Sequence, residues 1–223
     1  SKELAYAYIE YNPKEANRLL DEMGLKKGSD GIRLRPDGKP LTITIEFTPA
    51  FGPWADACDL VAKYWTTVGV KTAVKSEERS LFYTRKAALE HDVGIWTGSV
   101  GMQPLLDPRW YMPWSEESIH AIGYAQWYQS GGKIGEKPTG DLLKTIELYE
   151  EIKKTSSDRR QKDLFQQILK LNAKNLWVIG TLSSPPDIAI VKNNMRNVPE
   201  TGFFSWVLHS PKNLNPEQFF FKK

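Results

Sequence analysis

Apolar and polar residues alternate strictly along 41–47, which is the two-residue period of a half-buried strand. The runs 70–74 and 92–96 are also predicted to be strands. Between these three strands, apolar residues recur at helical spacing over 54–68, and a second helix is predicted over 80–90. The alternation of strand and helix predicts an α/β fold with a mixed, mostly parallel sheet flanked by helices.

Further elements are predicted on both sides of this unit. An N-capping asparagine and a proline mark the start of a helix over 13–23, which a glycine ends. Two long amphipathic helices are predicted over 141–154 and 157–176, and we expect them to be scaffolding. The apolar runs 177–182 and 188–191 are predicted to be strands.

The segment 97–138 consists largely of glycine, proline, polar and aromatic residues, and an irregular segment of this length in a compact domain is commonly functional. Ligands of parallel sheets bind outside the carboxyl ends of the strands, so the loop after the third strand is the first place to expect a site. Tryptophan faces with a few hydrogen-bonding groups suit a neutral polar ligand. We therefore predict that the ligand contacts at least one of four tryptophans: Trp96, Trp110, Trp114 and Trp127.

Three other residues complete the predicted site. Arg79 follows the second strand and is either a ligand contact or a local partner of its acidic neighbours. Gly98 and Ser99 follow the third strand, in a Gly-Ser-Val-Gly run that is only superficially like a nucleophile elbow, because Thr97 stands where that motif requires glycine. A serine hydrolase is therefore a less favoured alternative, and we expect no catalytic residues.

Composition excludes several classes of partner and cofactor. The chain has 223 residues, with 30 Lys and Arg against 27 Asp and Glu, and the two signs are interleaved, so we expect no nucleic-acid partner. Cys58 is the only cysteine, which excludes an internal disulfide and a cysteine-rich zinc site. The three histidines share no ligand spacing and no nucleotide-binding fingerprint occurs, so neither a metal nor another cofactor is expected.

Several segments together resemble the extracellular solute-binding proteins of family 5, the peptide, nickel and oligosaccharide receptors of bacterial ABC importers. The resemblance spans nearly the whole chain, and it rests on the order and spacing of the similar motifs. These motifs are YNPKEANRLLDEMGL at 11–25, DGKP at 37–40, VAKYW at 61–65, VGV at 68–70 and HDV at 91–93. The resemblance implies a lobe of a type II periplasmic-binding-protein-like fold. It also implies a receptor, with no enzymatic activity, that captures a solute by hinge closure and delivers it to a membrane permease.

The resemblance also implies how the chain is organised and where it acts. Residues 1–223 correspond to a single C-terminal ligand-binding lobe, in which 187–223 return toward the N-terminal lobe of the same protein. The chain begins at Ser1 with neither an initiator methionine nor a signal peptide, and we expect a fragment or a processed product. The expected location is outside the cytoplasm, either periplasmic or anchored at the cell surface.

The solute implied by the resemblance is an oligosaccharide, with an oligopeptide as the alternative. Peptide-binding members place an acidic residue shortly after the Asp-Val strand to pair with the peptide amino group, and the run 94–101 contains no acid. The run 105–111, with Gln126-Trp127-Tyr128 and the glycines that follow, resembles the oligosaccharide-binding branch. Tryptophan faces stack on sugar rings, while serine, threonine and backbone groups hold the hydroxyls.

Overall fold

The computed structural model describes residue 4 and residues 6–98, 104–181, 187–205 and 207–222. Its central feature is a three-stranded parallel sheet of β1 (Thr42–Phe47), β2 (Lys71–Ser76) and β3 (Val93–Gly94). The strand order is β2-β1-β3, so the first strand lies in the middle. The predicted α/β fold with a parallel sheet is therefore confirmed.

Helices connect and precede these strands. α1 (Pro13–Glu22) begins where the sequence predicts, and the Asn12 side chain accepts a hydrogen bond from the Glu15 backbone N–H at 3.0 Å. α2 (Trp54–Thr67) connects β1 to β2, and α3 (Arg79–Ala87) connects β2 to β3. α3 ends three residues before the predicted boundary.

One core lies between the sheet and α2. It forms around Ile45, Phe47 and Cys58, each at most 5% exposed. Cys58 packs as a small apolar side chain, as its position on the helix predicts, and burial raises the pKa of its thiol.

A buried arginine, Arg33, joins α1 to the core between the sheet and α2. Arg33 is 1% exposed and donates five hydrogen bonds. Its acceptors include the Val68 carbonyl oxygen at 2.7 Å and the Asp21 carboxylate at 2.6 Å. Because these acceptors come from α1 and from the end of α2, one guanidinium joins distant parts of the chain.

A second core lies between the remaining helices: α4 (Ile122–Gln129), α5 (Gly140–Lys153) and α6 (Asp158–Asn175). α5 and α6 form as predicted, and the Ser157 hydroxyl caps α6. The buried residues of this core are Met112, Ile146, Leu148, Tyr149, Ile152, Leu164 and Ile168. None of the helices in the described part of the chain combines the length and the apolar character needed to cross a membrane.

We call the predicted segment 97–138 the aromatic segment, and its described part is held on this second core through its backbone. The Tyr149 hydroxyl donates to the Leu105 carbonyl oxygen at 2.9 Å, and the Asn172 amide donates to the Tyr111 carbonyl oxygen at 2.8 Å. The segment also contains α4, which the sequence does not predict. Ile122 and Ala125 of this eight-residue helix are buried, but it has no clear polar face, so its periodicity is hidden.

The two strands predicted after α6 are wrong within the described residues. Residues 177–181 and 187–191 are irregular, while 182–186 lie outside the described residues. Ile188 and Ile190 are 90% and 98% exposed, which shows that no neighbouring described strand covers this run. The chain instead forms a short antiparallel pair, β4 (Met195–Arg196) with β5 (Phe220–Phe221).

Candidate site at the carboxyl edge of the sheet

Aromatic side chains that follow different strands meet at the carboxyl edge of the sheet. The Trp96 ring lies 5.7 Å from Phe82, centroid to centroid and nearly parallel to it. Tyr83 and Trp54 approach it edge-on, at 5.3 and 6.2 Å. We call Trp54, Phe82, Tyr83 and Trp96 the carboxyl-edge cluster. Because Phe82 covers one face of Trp96, this tryptophan is a wall of the cluster and not a platform open on both faces.

Trp110 brings the aromatic segment to the same edge. Its indole Nε1 donates a hydrogen bond to the Thr97 carbonyl oxygen at 2.9 Å, just beyond β3. The Arg109 guanidinium lies 5.4 Å from the centroid of the Trp110 ring, which is half-buried. Two of the predicted tryptophans, Trp96 and Trp110, are therefore brought together at one end of the sheet.

Arg79 reaches the cluster from the start of α3. Its guanidinium carbon lies 5.7 Å from the centroid of the Tyr83 ring. Of its acidic neighbours, Glu78 caps α3 by accepting from the Ser80 backbone N–H, and Glu77 contacts Lys75 at 2.5 Å. The structure thus places Arg79 against a wall of the carboxyl-edge cluster.

Of the two residues predicted after β3, only one is described. Gly98 is exposed, and a Cβ placed there would meet no atom within 4 Å. Ser99 lies outside the described residues, so the hydrolase alternative built on it stays a prediction. Among the described residues, no three His, Cys, Asp or Glu side chains come together as a metal-binding group.

Trp114 lines an open cleft of about 650 Å³ between the aromatic segment, α4 and α5. The Trp114 side chain packs against the second core. We call this feature the flank cleft. The side chains that matter for its chemistry are Arg109, Trp114, Glu117, Tyr128, Glu150 and Lys153.

The flank cleft and the carboxyl-edge cluster share a wall. Glu117 Oε2 accepts a hydrogen bond from the Tyr83 hydroxyl at 3.3 Å and lies 3.4 Å from Arg109 Nη1. Arg109 Nε also donates to Asp107 at 2.7 Å. Burial, with the nearby Glu117 charge, raises the pKa of the Tyr83 hydroxyl. The two features therefore meet at Arg109 and Glu117.

The opposite wall of the flank cleft is a tyrosine held between two charges. The Tyr128 hydroxyl donates to the Glu150 carboxylate and accepts from Lys153 Nζ at 3.2 Å. Lys153 and Glu150 form an ion pair at 2.5 Å. Burial, and next the hydrogen bond to Glu150, raise the pKa of Tyr128 to about 12, so its hydroxyl stays protonated.

Trp127 contacts a glycine turn. A Cβ at Gly132 would lie 3.3 Å from the Trp127 indole nitrogen, and one at Gly135 would lie 2.7 Å from the Trp127 backbone nitrogen. The neighbouring Tyr128, which no pattern in the sequence singles out, lines the flank cleft. Glu117, Tyr83 and Trp54 were also missed, because nothing in their local sequence records the long-range contacts that bring them to the site.

A parallel sheet flanked by helices is the architecture of a type II periplasmic-binding-protein lobe, and the structural relatives have this fold. Residues 1–119 match the family model described as bacterial extracellular solute-binding proteins, family 5 middle. The chain belongs to this family.

The solved structures that resemble this chain are named for different ligands. An oligopeptide-binding protein, OppA, is 36% identical with a TM-score of 0.78; the match covers all of this chain and 37% of that one. The periplasmic binding protein MelB from Agrobacterium fabrum C58, in complex with stachyose, is 15% identical with a TM-score of 0.65 and coverages of 78% and 26%.

A third relative is the mannohexaose-bound periplasmic oligopeptide-binding protein of an ABC transporter from Thermotoga maritima. It is 20% identical, with a TM-score of 0.57 and coverages of 78% and 31%. The chain therefore spans well under half the length of these relatives. No curated protein sequence matches it.

Proposed function

We propose that this chain is the C-terminal ligand-binding lobe of a receptor that captures an oligosaccharide outside the cytoplasm for an ABC importer. Membership of family 5 supports the receptor role. The observation that carries the proposal is the hydrogen bond from Trp110 to the carbonyl oxygen of Thr97, the residue after Trp96, at the carboxyl edge of the parallel sheet. This edge is where ligands of such sheets bind.

The proposed mechanism is capture by closure, and no reaction is catalysed. A solute that touches this lobe and a facing N-terminal lobe stabilises the closed arrangement by its differential affinity for it. Residues 187–223 would contact that other lobe, which is consistent with the strong exposure of Ile188, Ile190, Phe203 and Phe204. The closed receptor then presents the solute to the membrane permease.

Oligosaccharide capture fits the chemistry of this edge. The half-buried Trp110 ring offers apolar surface beside Arg109, and Arg79 lies against Tyr83 of the same edge. Both guanidinium groups carry N–H donors suited to sugar hydroxyls. Sugar rings combine apolar faces with hydroxyl rims, so they match an aromatic site of this kind.

An oligopeptide is the second candidate, and two observations favour it. The relative that is 36% identical over the whole chain is named an oligopeptide-binding protein. Glu117, whose side chain is 41% exposed, also brings a carboxylate next to Tyr83 at the carboxyl-edge cluster. Such a group would pair with a peptide amino terminus if Arg109 released it.

The experiment is calorimetric titration of the complete receptor with stachyose, mannohexaose and tetra-alanine. We expect saccharide binding that Trp110→Ala weakens at least tenfold, or about 1.4 kcal/mol. Tyr64→Ala, which changes an exposed aromatic residue on α2, is the control and should leave affinity unchanged. Binding of tetra-alanine alone would reject the oligosaccharide and leave the receptor role in place.

A further inference from the structure

The flank cleft lies beside the proposed solute site, and residues of its lining contact that site. It is bounded by the aromatic segment, α4 and α5, whereas the carboxyl-edge cluster is built on residues that follow the strands. Its volume of about 650 Å³ falls within the range of small-molecule sites. Arg109 and Glu117 belong to its lining, and they contact Trp110 and Tyr83 of the proposed solute site.

The charges of the flank cleft are balanced and paired. Arg109 faces Glu117 at 3.4 Å, and Lys153 faces Glu150 at 2.5 Å, so the lining carries no net charge. A charged ligand would have to break one of these pairs. A hydroxyl group would not, because each carboxylate and each cation keeps hydrogen-bonding positions beyond those used in its pair.

The aromatic side chains of the cleft are fixed in place. Trp114 packs on the second core, and its backbone N–H donates to the buried Ser118 hydroxyl at 2.9 Å. Tyr128 is held by Glu150 and Lys153. A rigid lining reduces the ordering cost of binding.

We propose that the flank cleft is a second saccharide subsite, which extends the site at the carboxyl edge so that longer oligosaccharides contact both. Balanced charge, hydroxyl-binding groups and two fixed aromatic rings favour a neutral polyhydroxy ligand. The inference rests on the proposed function, since it assigns further sugar units of the same solute to this cleft. A short saccharide occupies the carboxyl edge alone.

The test compares short and long saccharides on the complete receptor. Calorimetry is run with maltose and maltohexaose, cellobiose and cellohexaose, and mannobiose and mannohexaose. The variants are Glu150→Gln and Tyr128→Phe, which keep the size of each side chain. Glu147→Gln, an exposed carboxylate on the same helix, is the matched control. Melting temperatures establish that each variant is folded.

We expect both cleft variants to weaken the hexasaccharide about tenfold and to leave the disaccharide within about twofold, while the control changes neither. If the receptor binds saccharides but the cleft variants affect neither length, or both lengths equally, the subsite is overturned and the proposed function stands. If the receptor binds none of the six saccharides, the subsite is overturned. If it does not bind stachyose either, the proposed solute class is overturned as well.

Discussion

The Trp110 indole Nε1 donates a hydrogen bond to the Thr97 carbonyl oxygen at 2.9 Å, although the two residues lie 13 positions apart in the sequence. This bond brings the aromatic segment to the end of β3. The ring of Trp110 therefore lies at the carboxyl edge of the sheet, a position that depends on this contact between the two segments.

Replacing Trp110 by two different residues separates its ring from this bond. Trp110→Phe keeps an aromatic face but loses the donor, which costs about 1 kcal/mol for a typical hydrogen bond. We expect this variant to bind solute about fivefold more weakly, and Trp110→Ala to lose still more because it also removes the ring. Calorimetric titration of the complete receptor measures both. Equal losses in the two variants would show that the hydrogen bond, and not the ring, supports binding.

Removing the guanidinium group of Arg33 is expected to destabilise the fold strongly. Arg33→Met keeps the apolar stem but leaves the Val68 and Leu25 carbonyl oxygens without a donor in a buried site. We expect a decrease of about 2 to 6 kcal/mol in the free energy of unfolding, at about 1 to 3 kcal/mol for each of the two carbonyl groups. Arg35→Met is the control, because Arg35 is half exposed and its ion pair with Asp37 is worth at most about 1 kcal/mol. Urea denaturation measures both, and similar losses in the two variants would contradict the prediction.

Two glycines of one turn differ in what surrounds them. Gly131 and Gly135 both have positive φ angles, +64° and +78°, so an added side chain strains the backbone at either position. At Gly135 a Cβ would also clash with the Gly123 carbonyl oxygen and lie 2.7 Å from the Trp127 nitrogen. We expect Gly131→Ala to cost about 1 kcal/mol and Gly135→Ala at least about 2 kcal/mol more. Thermal unfolding compares them, and equal losses would show that the turn moves freely away from α4.

His120 predicts a specific dependence of stability on pH. Its ring stacks on Trp177 at 5.6 Å, both ring nitrogens are buried without a hydrogen-bond partner, and burial lowers its pKa from 6.5 to about 4. Between these values the unfolded chain binds more protons than the folded chain, so this contribution is complete above pH 6.5 and is lost as the pH falls toward 4. From pH 7 to 4.5 the loss is about 2 to 3 kcal/mol.

His120→Phe provides the comparison for that slope. Phenylalanine keeps the stacking on Trp177 but does not titrate, so the variant should lose about 2 to 3 kcal/mol less than the unchanged protein over the same pH interval. Urea denaturation at pH 7 and 4.5 gives the free energy of unfolding for both. Parallel losses in the two proteins would show that other groups cause the acid sensitivity.

Much of the regular structure follows from local sequence. Asn12 and Ser157 cap their helices as their positions predict, because a cap depends on atoms only two or three residues away. The alternation of apolar and polar residues in β1 likewise indicates, from local sequence, a strand with one buried face. The apolar run around Ile188 shows the limit: its composition suits a strand, but a strand also needs a neighbouring strand, and no described neighbour pairs with it.

The candidate site was predicted in part. Trp96 and Trp110 were selected because tryptophans follow a strand whose carboxyl end is expected to face ligand, and the structure brings both to that edge. Trp127 and Tyr128 are adjacent in sequence, and residue type alone does not indicate which of the two side chains lines a site. The orientation of α4 turns Tyr128 toward the flank cleft, where Glu150 and Lys153 hold it.

The sequence by itself determined the order of the first three strands and the two helices between them, the starts of the capped helices and the family, because these depend on residue types at short spacing. Only the tertiary structure decided that β1 lies between β2 and β3, that Glu117 reaches Tyr83, and that the flank cleft lies beside the carboxyl edge. These relationships join residues far apart in the chain. They depend on how whole elements pack, and the spacing of apolar residues within one element does not determine that packing.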